Sequence, residues 1–115
     1  MKAYDLRPLS ATATTTATSH NPQVPTDFIR KIVRLLVQNL HSSANQLTLY
    51  QRIGTTDTTI LVIQLNSGEV MEFKMEDLED SPPVLLLRPT SYLRSVTNNG
   101  NFNFSLWYAD EEGEA

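Results

Sequence analysis

An α+β fold is what this 115-residue sequence predicts, and three observations predict it. Between Phe28 and Leu40 apolar residues recur at helical spacing. From Gln46 onward, β-branched and alternating runs are separated by turn signals. Before residue 25 there is too little large apolar side chain to build a core. The expectation is one N-terminal amphipathic helix packed on an antiparallel sheet of about five or six strands, with flexible tails.

The leader comes first. Residues 8–25 read PLSATATTTATSHNPQVP, rich in Thr, Ala and Pro, with Leu9 and Val24 as the large aliphatics. Such a stretch offers little apolar surface against its ordering entropy, so residues 1–24 are expected to be flexible. Tyr4–Leu9 is a candidate docking motif on that tether; a plain tail is the simpler reading.

The helix follows. Pro25 halts the leader, Thr26 suits an N-cap, and Asp27 suits the positive end of a helix dipole. Phe28, Ile29, Ile32, Val33, Leu35, Leu36, Val37 and Leu40 then form a broad apolar stripe. Arg30, Lys31, Arg34, Gln38 and Asn39 fill the polar remainder.

Six runs read as strands. Gln46–Arg52 alternates. Thr59–Leu65 is apolar on both faces, as a central strand would be. Asn66-Ser67-Gly68 signals a turn. Glu69–Met75 places Met71, Phe73 and Met75 on one face. The acidic stretch Glu76–Asp80 leads to Val84–Leu87, which Pro83 and Pro89 confine to an edge. Asn99-Gly100 then predicts a type I′ hairpin between the last two strands. In it Phe102, Phe104, Leu106 and Tyr108 face the core, while Arg94 and Trp107 lie on the other side. Residues 110–115 form an acidic flexible tail, so the predicted domain is 25–109.

Chemistry is sparse. There is no cysteine, and the two histidines, His20 and His41, lie far apart in sequence. A zinc site and a thiol nucleophile have no ligands or groups to draw on. The acidic stretch lacks calcium-loop spacing. No Gly-x-Ser-x-Gly elbow or phosphate-binding glycine loop occurs. No catalytic, cofactor-binding or metal-ligating residue is therefore assigned, and no cofactor is expected. The aliphatic runs Ile60–Ile63 and Val84–Leu87 are too short to span a bilayer, and no export signal precedes them. The expectation is a cytoplasmic protein without a membrane partner.

Charge is asymmetric. Up to residue 56 there are six cationic and two acidic side chains; from residue 57 there are three and eleven. The total of −4 disfavours bulk nucleic-acid binding. Arg30, Lys31 and Arg34 remain the alternative nucleic-acid face, should the protein be a regulator of that kind. The first expectation is instead a non-catalytic protein–protein interaction module: an accessory or adaptor subunit, or a small viral or phage factor that binds a host protein. Its interface would be Tyr92, Arg94, Val96 and Trp107, with Arg94 stacked on Trp107. A homodimer, or a structural subunit that completes itself by self-association, is the third reading.

Overall fold

A computed structural model describes residues 6–75 and 83–112. Every regular element among them is a strand: β1 (Arg7–Ala13), β2 (Thr18–His20), β3 (Phe28–Asn39), β4 (Asn45–Ile53), β5 (Thr56–Leu65), β6 (Val70–Lys74), β7 (Leu85–Leu87), β8 (Tyr92–Thr97) and β9 (Phe102–Glu112). A five-stranded sheet runs β1-β9-β3-β6, with β7 also paired to β3; a four-stranded sheet runs β2-β8-β4-β5. All pairings are antiparallel. The α+β expectation is overturned: the fold is all-β, two sheets enclosing one core.

The stretch read as a helix is the central strand β3. It pairs with β9 along its whole length and with β6 and β7 on its other side. Its register against β9 slips between Ile32 and Arg34, so Val33 is an extra, bulged residue. Before the bulge Arg30 and Ile32 are buried; after it Leu35, Val37 and Asn39 are. A period of two with one phase slip puts apolar residues at 32, 33, 35 and 37, which mimics a helical stripe. Pro25 to Phe28 is a turn closed by Phe28 N–H to Pro25 C=O, 3.2 Å, with Asp27 at φ 66°. That turn stands where the sequence suggested an N-cap.

The leader is structured from residue 7. In β1, Leu9, Ala11 and Ala13 alternate with Pro8, Ser10 and Thr12, and seven residues register against β9. Small side chains suffice there, because an edge strand needs only its inward half to meet the core. Ala13 is fully buried, and Val24 nearly so. The acidic end is also ordered through Glu112, since Asp110, Glu111 and Glu112 register against Arg30, Ile29 and Phe28. The stretch Glu76–Asp80 and the last three residues lie outside the described residues.

The hairpin signal misleads in the same way. β8 belongs to the four-stranded sheet and β9 to the five-stranded one, so residues 98–101 form an arch between sheets. Gly100 has φ 42°, but Asn99 is not in the left-handed region, as a type I′ turn would require. The true two-residue hairpin joins β4 and β5 through Gly54-Thr55, with Ile53 opposite Thr56 and Gly54 at φ 60°.

Phe102, Phe104, Leu106 and Tyr108 do face inward, against Leu47, Leu49, Ile63, Leu65 and Leu93 of the other sheet. Fully buried Asn39 locks one end of the sandwich. Its amide nitrogen donates to the carbonyls of Ser43, Leu65 and Asn66, and its oxygen accepts from His41 N–H. The chain reversals before β4 and after β5 are thereby tied to β3.

Candidate interaction surfaces

Three rows cross the outer face of the five-stranded sheet, read from the strand registers. Pro8, Trp107, Arg34 and Lys74 form the first; Ser10, Ser105, Leu36 and Glu72 the second; Thr12, Asn103, Gln38 and Val70 the third. The rows exist because β9 alternates without interruption and the Val33 bulge resets β3 into phase with it. Arg34 lies over the Trp107 ring at 4.8 Å and donates through Nε to Glu72 at 2.7 Å. The Ser10 and Ser105 hydroxyls share a hydrogen bond of 2.9 Å, and Thr12 donates to Asn103 at 3.0 Å.

Shallow clefts follow these rows. One of about 280 Å³ is lined by Leu36, Gln38, Val70, Asn103 and Ser105 side chains, with the strand backbone as floor. A second of about 250 Å³ lies between Leu6, Val33, Arg34, Lys74, Met75 and Trp107. Apolar surface is uncovered here: Val70 is 54% exposed, and Leu40, one residue beyond β3, is 48% exposed.

The residues expected to form one interface are divided. Tyr92, Arg94 and Val96 are half-buried on the outer face of the four-stranded sheet, opposite Arg52, Tyr50 and Thr48. Trp107 belongs to the other sheet. Arg94 lies over Tyr50 at 5.6 Å, and Arg34 takes the place on Trp107 that was expected for Arg94. The sequence carried no signal for this exchange, because it depends on β8 and β9 leaving for different sheets.

Nor do Arg30, Lys31 and Arg34 form one basic face. Arg30 points inward and is 5% exposed. Its Nε and Nη2 donate to both carboxylate oxygens of Asp110, at 2.7 and 2.9 Å, and its Nη1 donates to Pro22 C=O at 2.6 Å. The same guanidinium lies 4.2 Å from the Tyr108 ring centre. Lys31 meets Glu111 at 2.8 Å and Arg34 meets Glu72, so each cation has a carboxylate beside it. Partnered charge of this kind has less to offer a phosphate backbone.

His20 sits inside, its Nε2 2.6 Å from Ser95 Oγ and its ring edge-on to Phe104 at 5.0 Å. Burial holds its pKa below the ordinary value, and the charge of Arg94 adds to that. At the β4–β5 hairpin, Arg52 grips Asp57 through two hydrogen bonds of 2.6 and 2.8 Å. That hydrogen bonding lowers the Asp57 pKa and raises that of Arg52. Among the described residues, no three His, Asp or Glu side chains gather as metal ligands would. Nor is any helix there long and apolar enough to cross a membrane.

No family model matches this chain, and neither does any curated protein. Among solved structures, a chain described under "Bacillus endospore appendages form a novel family of disulfide-linked pili" is similar at 16% identity and a TM-score of 0.46, over 93% of this chain and 87% of that one. A likeness of that degree carries no argument about what this chain does.

Proposed function

We propose that this chain is a non-catalytic binding module that takes another protein on the outer face of its five-stranded sheet. One observation carries the reading: Leu40 and Val70 expose apolar surface beside clefts walled by Leu36 and by the Arg34–Trp107 stack. Aromatic and Arg side chains next to uncovered aliphatic ones are the composition of interface centres. The polar rows of Ser10, Thr12, Asn103 and Ser105 would form the rim, with hydroxyls and amides to exchange hydrogen bonds with a partner's backbone.

The outer face of the four-stranded sheet is the competing surface, through Tyr92, Arg94 and Val96. It is less open at its centre, where Tyr50 is 8% exposed. The two faces are separated by paired variants in quantitative capture from native lysate. Trp107→Ala with Val70→Asp is expected to weaken capture at least about thirty-fold, since a buried interface Trp contributes roughly 2 kcal/mol or more. Val96→Asp should leave capture unchanged. The opposite pattern moves the interface to the other sheet. Capture that survives both sets, with folding intact, defeats the reading.

A further inference from the structure

We infer that β5 is a self-pairing edge, along which two copies of this chain join antiparallel about a two-fold axis midway between their Val62 residues. The four-stranded sheets of the two copies would then run on as one sheet of eight strands. This surface is distinct from the face proposed above.

A sheet edge presents a row of unpaired backbone N–H and C=O groups, and proteins blunt such edges with proline, charge or shortness. Three of the edges here are blunted in those ways. β1 carries Arg7 and Pro8. β6 carries Glu72 and Lys74, and β7 beside it has three residues. β2 also has three residues. β5 is the exception: it is ten residues long, Thr56–Leu65, with no proline and no cation. Its one charge, Asp57, is held by Arg52 of its own hairpin. Among the described residues, no strand pairs with its outer side. The bulge at Ile60 lies toward one end and leaves Leu61–Leu65 in regular register with β4.

Charge and symmetry name the occupant as a second copy. About a two-fold axis, β5 meets its own sequence, and like charges directly opposite would repel. Thr58–Leu65 contains none. Residues directly opposite in an antiparallel pair share a face, so a two-fold axis normal to the sheet must set one residue opposite its own copy and pass midway between them. Centring on Val62 sets Val62 against Val62 of the second copy and Leu61 against Ile63. Val62 is 51% exposed and points outward, so it gains an apolar cross-strand partner. Residues 66–69 carry the chain from β5 to β6, so both edges lie at one side of the sandwich. Met71 of β6, 37% exposed, would lie beside the new contact.

The test uses the full chain in sedimentation velocity up to roughly 100 µM, where a micromolar contact is nearly saturated. Wild type is expected to reach dimer mass. Val62→Lys and Val62→Glu should each weaken dimerisation at least about tenfold, because a symmetric contact sets each new charge against itself. An equimolar mixture of the two should recover a dimer, now mixed. A wild type that stays monomeric overturns the inference, as does a dimer that ignores both variants or a mixture that recovers nothing. Should either variant fail to fold, wild type alone decides. Amide exchange at Leu61–Leu65 must slow as concentration rises through the monomer–dimer transition; exchange independent of concentration overturns the inference.

Discussion

His20 occupies the core in its neutral form. Its Nε2 meets Ser95, its ring meets Phe104, and burial together with Arg94 lowers its pKa. The unfolded chain therefore binds a proton more readily than the folded one. The sign follows: this contribution is fully present above the unfolded value of about 6.5, and is lost as pH falls from there through the lowered folded value. Melting temperature should accordingly decline between about pH 7.5 and pH 5, more steeply for wild type than for His20→Gln, which cannot take up the proton. Equal slopes in the two proteins would mean that His20 is not buried neutral. Nothing in the sequence pointed to this role. Composition averaged over residues 8–25 hides that His20 is one inward position of a strand, because three residues cannot display a period.

At the scale of elements, β3 decides the architecture, and Val33 explains why it reads as a helix. Strand alternation was legible where it ran unbroken, as in Gln46–Arg52 and at Phe102, Phe104, Leu106 and Tyr108. It was illegible across a bulge, where a phase slip and a 3.6-residue repeat give the same apolar positions. Arg30 compounds the ambiguity: a charge at an inward strand position looks like the polar face of a helix. It is tolerated inward because Asp110, Pro22 and Tyr108 surround it. Asp110→Ala would leave a buried guanidinium without its counter-charge, at an expected cost of about 3–5 kcal/mol. Arg30→Met with Asp110→Leu removes both charges and should cost clearly less, read from denaturant midpoints. If the double variant is as unstable as the single, packing and not charge pairing holds this corner.

The whole molecule alternates between sheets. The chain visits the five-stranded sheet with β1, the four-stranded with β2, and returns with β3; among the described strands, β4 and β5 are the only sequential neighbours that pair directly. Short connections favour pairing between neighbours in sequence, and that default does not produce this alternation. The arch through Asn99-Gly100 shows the difference. Two asparagine side chains hold the loop ends: Asn45 accepts from Asn99 N–H, and Asn39 anchors the adjacent reversal. These contacts are non-local, so residue type at the turn alone did not reveal them.

The same topology makes the leader part of the fold. β1 closes the five-stranded sheet against β9, near the other end of the sequence, and covers an edge that would otherwise expose β9. Leu9, Ala11 and Ala13 pack on the core from this strand. Deleting residues 1–13 removes their burial, on the order of 2–3 kcal/mol, and bares the β9 edge. The expected result is a fall in melting temperature of roughly 10–20 °C, from about 4–8 °C per kcal/mol in a chain of this size. The exposed β9 edge should also make the shortened protein aggregate at concentrations where the full chain remains clear. A flexible leader would leave both measurements unchanged, because a tether without contacts contributes nothing to the folded state. The sandwich requires the opposite: its first described strand and its last are hydrogen-bonded neighbours, so the sheet is complete only when both ends of the described chain are in place.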